Sequence, residues 1–292
     1  LAVYGIALQA PPVFDDAWAF GERGLAEILA DCKQPNRLLP NLTLAFNFWL
    51  HGRSVLGYHL LNVVIHAGCA WLLMRLAWQG VGLTLPQLAE NARRQAAWLA
   101  GLAFLLHPLA TQSVTYITQR LTSLTALFYL AAVCCWVAAR QRARGRAPWS
   151  GRAALTAWLG ALACGAAALL SKEFAITLPA AWLLVEWLWL SRAESPTRAC
   201  PWRWRLVALL PLVLACMAFL WWHLHGREGL PEQAATAGAL DQLVPRWAEA
   251  GMITREGYLA TQLEVIARVY LKLALWPLGQ SIDHFIPLQP RL

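Results

Sequence analysis

The chain has 292 residues, of which 59% are hydrophobic and 14% charged; its net charge is +8 and its mean hydropathy +0.45. A soluble domain carries about a quarter charged residues, so this composition excludes an ordinary soluble enzyme and specifies an all-α integral membrane protein with several spans. Seven cysteines, at 32, 69, 134, 135, 164, 200 and 216, lie mostly inside apolar runs without metal-ligand spacing, so no disulfide framework, metal site or cofactor is expected.

The apolar run 1–8 is too short to cross ~30 Å of hydrocarbon. It reads as the outer end of a span begun earlier, and 287–292 reads as a cut end. Next comes the hexapeptide 11–16, Pro-Pro-Val-Phe-Asp-Asp. Two adjacent carboxylates at the mouth of a helical bundle suit proton transfer; the plain alternative is a solvated loop with a turn-forming Asp. Residues 17–29 then read as a short amphipathic helix, with Trp18, Leu25, Ile28 and Leu29 on one face. Residues 41–50 form a second. Both are too short and polar to span and are expected on the membrane surface, within a first extracytoplasmic loop at 9–56.

Complete spans are predicted at 56–78, 121–139, 153–170, 174–190 and 206–222, with a shorter one at 96–106 ending at His107. His59, Asn62 and His66 fall at i, i+3 and i+7, so they line one face of the first full span, where polar groups usually satisfy one another or a neighbouring backbone. A metal pair there is the weaker alternative. Trp182, Trp187, Trp189, Trp202, Trp204, Trp221 and Trp222 read as interfacial belts, and Glu186 as glue between helices. A polar stretch at 226–258, in a last extracytoplasmic loop at 223–262, leads to 259–276, which either spans or lies on the surface, because Glu264, Arg268 and Lys272 recur every four residues.

Charge orients the spans. With Asp15 and Asp16 outside, the inside loops 75–95, 139–153 and 191–205 hold twelve arginines, half of the 24 basic residues. The positive-inside rule then puts Asp15, Asp16, the 107–120 stretch and 171–173 on one extracytoplasmic side. The arginine run 140–152 reads as a topogenic loop facing anionic lipid, not a nucleic-acid patch. The outer segments supply carboxylates (Asp15, Asp16, Glu173), cations (Arg37, Arg120, Lys172, Arg268) and neutral polar groups (His59, His107, Gln112). Arginine and lysine stabilise phosphate oxygens, and a carboxylate can take a proton from an acceptor hydroxyl. The plain alternative is that Arg120 and Lys172 anchor helix ends.

Three stretches go further: Arg-Leu-Leu-Pro-Asn-Leu-Thr at 37–43 continuing to Gly-Tyr-His-Leu-Leu-Asn-Val-Val-Ile-His at 57–66; His-Pro-Leu-Ala-Thr-Gln-Ser-Val-Thr-Tyr-Ile-Thr-Gln-Arg at 107–120; and Ser-Lys-Glu-Phe-Ala-Ile-Thr-Leu-Pro at 171–179. With Asp15 and Asp16, they resemble the membrane half of the transmembrane and tetratricopeptide-repeat family. Its bacterial members are called tetratricopeptide-repeat glycosyltransferases and its eukaryotic members protein O-mannosyltransferases. The resemblance covers nearly the whole chain as one 1–292 membrane domain, without the downstream repeat domain. It implies a GT-C-like bundle in a bacterial inner (plasma) membrane, with the active site on the periplasmic side. The donor would be a polyprenyl-phosphate-linked sugar and the acceptor a protein hydroxyl or a glycan. Asp15 or Asp16 would be the catalytic base of an inverting, metal-independent displacement, while Arg120, Lys172 and Arg268 would hold the carrier phosphate. Where eukaryotic relatives tend to carry acids near Gln112 and Thr122, this sequence is neutral. Two rivals remain: a transporter or lipid-carrier flippase, and a non-catalytic anchor for a repeat domain.

Overall fold

The computed structural model describes residues 4–12, 16, 37–193, 200–225, 261 and 263–275. Asp15, the predicted helix 17–29, Cys32 and most of the loop 223–262 lie outside the described residues. The helices are α1 (Leu38–His51), α2 (Val55–Thr84), α3 (Glu90–Leu106), α4 (Arg120–Ala143), α5 (Arg152–Leu169), α6 (Leu178–Val185), α7 (Trp202–His225) and the short α8 (Leu271–Leu275). A π turn, Glu186–Leu190, and Ser191–Ala193 prolong α6. Short helical turns at Pro108–Thr111, Gln112–Thr115 and Ile117–Gln119 carry the chain from α3 to α4.

Among the described residues, five helical stretches are long and apolar enough to cross a membrane: Val55–Thr84, Ile117–Ala143, Arg152–Leu169, Glu173–Ala193 and Trp202–His223. The protein is therefore an all-α, multi-pass membrane protein. Glu90–Leu106 with Pro108–Thr115 would make a sixth span, bent by 57°. The described residues divide into two compact units, Leu1–Leu106 with Ala110–Phe219, and His107–Leu109 with Leu220–Leu292.

The helices run past their predicted ends. Span α2 has 30 residues, and α4 takes in Arg120 at one end and Arg140 at the other. Hydropathy counts an arginine as a terminator; a helix continues through one when other elements supply its acceptors. In the larger unit the main core is built from α4, α5, α6 and α7. Along α5, Ala154, Ala157, Ala161, Gly165 and Ala168 make a buried stripe of small residues, which lets helix backbones approach closely where lipid supplies no hydrophobic drive. A Cβ on Gly165 would lie 3.0 Å from Leu212 and 3.1 Å from Leu178, so this glycine sets the spacing of α5 from α6 and α7. Trp182 corrects the interfacial expectation. It is fully buried and stacks on Trp136 with ring centroids 4.7 Å apart and planes 8° from parallel. The six described cysteines are free thiols.

Candidate functional site

Two buried polar constellations sit at opposite ends of α4. At its start the chain makes a tight turn, Ile117–Gln119, whose first amides have no helical acceptors of their own. Asp16 supplies them from far away in sequence. Its Oδ2 accepts the Ile117 N–H at 3.0 Å and its Oδ1 the Thr118 N–H at 2.8 Å, with the side chain fully buried. Thr118 keeps a buried hydroxyl with no hydrogen-bond partner among the described residues.

One residue past that turn, Arg120 is also fully buried. Its Nε donates to Asn62 Oδ1 at 2.8 Å, Nη1 to Asn47 Oδ1 at 2.6 Å, and Nη2 to the Tyr58 carbonyl at 3.0 Å. Nη1 also reaches Thr43 Oγ1 at 3.5 Å, and the Tyr58 ring lies 5.7 Å from the guanidinium carbon. One side chain thus joins α1, α2 and α4. The acceptors are all neutral, so hydrogen bonds satisfy the guanidinium while its charge stays unneutralised by direct contact. The predicted phosphate-binding role meets a guanidinium with no exposed surface.

His59 stands between two carbonyls, Nδ1 at 3.0 Å from Val114 O and Nε2 at 3.1 Å from Ala10 O. Asn62 Nδ2 donates to the same Val114 oxygen at 3.4 Å. His66 Nε2 lies 3.2 Å from the Tyr4 hydroxyl, which donates to Leu105 O at 2.6 Å. The polar stripe of α2 therefore ties the 4–12 and 105–120 segments to the bundle, as polar groups within a span are expected to do.

Lys172 is half-buried beside this cluster. Its Nζ donates to Thr122 Oγ1 at 2.9 Å, and that hydroxyl donates to Gln119 Oε1 at 2.9 Å. The α1 start is pinned nearby by Leu39 N–H to Leu170 O at 3.1 Å. Asp16, His59 and Arg120 thus share one buried cluster, with Lys172 linked to its rim through Thr122 and Gln119. Arg37, Gln112 and Glu173 are exposed. In the second unit, His107 Nε2 lies 3.1 Å from Ala274 O, while its Nδ1 accepts the Leu109 N–H at 3.3 Å. Also in that unit, Arg268 pairs with Glu264 at 2.7 Å in an exposed i,i+4 bridge.

Asn47 and Tyr58 are the residues that sequence reasoning missed. The signal for Asn47 was available: an amide inside an apolar helix demands a partner. Nothing local marked Tyr58, which contributes its backbone carbonyl.

At the other end of α4, Arg140 donates through Nε to Glu186 Oε1 and through Nη2 to Oε2 at 3.3 Å. Arg205 approaches Glu186 Oε2 at 3.5 Å, donates to Cys200 O at 2.9 Å, and bonds Ser191 Oγ. This closed ion network joins α4, the π turn and α7, in keeping with the reading of Glu186 as glue.

Comparison with known proteins gives relatives of one kind. Over 264 residues, 85% of this chain and 26% of the relative, the sequence is 28% identical to the protein O-mannosyl-transferase Tmtc3 of Drosophila melanogaster. It is 28% identical over 176 residues to human protein O-mannosyl-transferase TMTC4, covering 59% of this chain and 23% of the relative. With Drosophila protein O-mannosyl-transferase Tmtc1 it shares 32% over 193 residues, 60% of this chain and 20% of the relative. The chain spans about a quarter of the length of the curated relatives it matches. No family model matches, and no solved structure does.

Proposed function

We propose that this chain is the membrane part of a glycosyltransferase of GT-C type. It moves a sugar from a polyprenyl-phosphate carrier to a protein hydroxyl on the extracytoplasmic face. The observation that carries this reading is the buried Asp16–Arg120 cluster with Lys172 at its rim, in a chain similar to protein O-mannosyl-transferases. In the proposed step a carboxylate of the Asp15–Asp16 pair takes the acceptor's hydroxyl proton. The acceptor oxygen forms its bond to the anomeric carbon as the bond from that carbon to the phosphate oxygen breaks. The electron pair leaves with the polyprenyl phosphate, and configuration inverts.

The two cations divide the work by exposure. Arg120 gives its donors to α1 and α2 and acts as a positioning residue. Lys172, half-buried on a hydroxyl that water or substrate can replace, is the cation suited to the leaving phosphate. His59, Asn62 and His66 of α2 are bonded to neighbouring segments, and this stripe gives no support to a transport pathway along that helix.

The test is transfer from a polyprenyl-phosphate sugar by membranes holding Asp15→Asn, Asp16→Asn or Lys172→Met chain. Loss of transfer in at least one Asp variant and in Lys172→Met supports the reading. Full activity in both Asp variants rules out the carboxylate base.

A further inference from the structure

An apolar groove of about 610 Å³ opens between α5 and α7, lined by Trp149, Leu155, Trp158, Leu210, Pro211 and Leu214, with Val207 beside them. Its walls are exposed: Leu155 by 37%, Leu210 by 51% and Leu214 by 58%. A monomeric protein in water would not present such a slot, but both helices are spans, so hydrocarbon is its natural filling. The groove has a definite depth. Its lining runs on α7 from Val207 to Leu214, seven residues or about 10 Å at 1.5 Å per residue, and ends about 18 Å from the helix start at Trp202. That is roughly half of the ~30 Å hydrocarbon core, the depth of a single leaflet.

The mouth is as defined as the walls. Trp149, Trp158 and Trp204 cluster there, with Trp149 ring centroids 5.5 Å from Trp158 and 5.7 Å from Trp204. Trp158 is fixed by donating Nε1–H to Ala208 O at 3.2 Å. Pro211 lacks the amide that would bond the Val207 carbonyl, and its ring lines the floor. Each wall carries a cation one turn above its apolar row. Arg152 stands at i relative to Leu155 at i+3, and Arg203 at i relative to Val207 at i+4 and Leu210 at i+7, so each shares a face with the groove lining. Both arginines are exposed, and Arg203 rests over the Trp204 ring at 5.3 Å.

We infer that this groove holds an anionic phospholipid of the leaflet that meets the arginine-rich loops, one acyl chain between α5 and α7 and the phosphate headgroup between Arg152 and Arg203. Charge complementarity and the one-leaflet depth select this occupant over a zwitterionic lipid, whose ammonium offsets the attraction of its phosphate to the two arginines, and over a long polyprenyl chain, whose length exceeds the groove. The site is remote in sequence from the Asp16–Arg120 cluster and does not depend on transferase chemistry.

The experiment is native mass spectrometry of the full chain released from detergent, titrated separately with phosphatidylglycerol, phosphatidylcholine and a long polyprenyl phosphate. The expected result is at least fivefold greater retention of phosphatidylglycerol than of either other lipid. Leu210→Trp, which fills the groove, should abolish that preference, as should Leu155→Trp from the opposite wall. The double variant Arg152→Gln/Arg203→Gln should equalise phosphatidylglycerol and phosphatidylcholine. Leu102→Trp, on the exposed face of α3, should retain the preference. Equal retention of the two phospholipids by the unaltered chain, preferred retention of the polyprenyl phosphate, or an unchanged preference in a monodisperse groove-filling variant would overturn the site.

Discussion

The two ends of α4 solve the same problem differently. Each buries an arginine completely, Arg120 at the head and Arg140 near the tail. Arg140 meets the Glu186 carboxylate, with Arg205 closing the other side, so its charge is neutralised on the spot. Arg120 meets two side-chain amides, a hydroxyl and a carbonyl. Its hydrogen bonds are satisfied but its field is not, and the nearest compensation on the same turn is Asp16, held by the two amides that precede Arg120 by three and two residues. A neutralised pair is glue. A charge held by dipoles and an indirect carboxylate is less fully compensated than one in a contact ion pair, which suits a site that handles anionic groups. The difference separates a joint from a candidate reaction centre within one helix.

The largest effects belong to the neutralised end. Glu186→Gln leaves Arg140 and Arg205 facing each other without their counter-ion, and breaking a buried pair from one side costs about 3–5 kcal/mol. Arg140→Met/Glu186→Leu, which removes the pair together, should recover most of that loss. Denaturation of the purified protein in detergent reads both, and on the proposed function transfer per folded molecule should stay within twofold. A double variant as unstable as Glu186→Gln would mean that α4 needs the ion pair itself rather than merely the absence of an orphaned charge.

At the other end the expected effects are smaller in stability and larger in activity. Arg120→Lys keeps the charge but replaces a planar fork by a point donor. It cannot serve Asn62, Asn47 and the Tyr58 carbonyl in their present directions, so at least one buried acceptor is left unmet at about 1–3 kcal/mol. Asp16→Asn falls in the same range, because the amide can accept from one of the Ile117 and Thr118 N–H groups through its oxygen and turns an NH₂ toward the other. Both variants should lower transfer at least tenfold while remaining folded. If Arg120→Lys keeps full activity, the neutral shell is only another joint and the contrast between the ends disappears.

The spans were legible because hydropathy is additive along a helix; their ends were not. Arg120 and Arg140 looked like terminators until their acceptors were supplied by α1, α2 and the π turn, elements up to 77 residues away in the chain. That Asp16 and the 117–118 turn come together agrees with the sequence expectation, drawn from the bias of arginine to the other loops, that both stretches share one side. The contact was not legible as a carboxylate on two particular amides, because an amide donor leaves no trace in sequence. The same limit hid Tyr58, whose contribution is its carbonyl. Trp182 was read as interfacial from its place near a span end, whereas the facing small residues of α5 and the Trp136 ring draw it into the core.

Lys172 gives the smallest stability effect and the sharpest separation. Its ammonium bonds a single hydroxyl, Thr122, and stays half-buried, so Lys172→Met leaves Thr122 still donating to Gln119 and should change stability by less than about 1 kcal/mol, as for a polar group with access to water. On the proposed reading it meets the departing phosphate, and transfer should fall about tenfold to a hundredfold, the scale of one charge-assisted hydrogen bond formed in the transition state. The KM for the carrier-linked sugar should rise less than kcat falls, since the phosphate gains charge only as the bond to the anomeric carbon breaks. Lys172→Arg should restore part of kcat, because the cation rather than the rotamer carries the effect. A loss confined to KM would place Lys172 in ground-state binding, and no loss would leave the head of α4 without a cation for the leaving group.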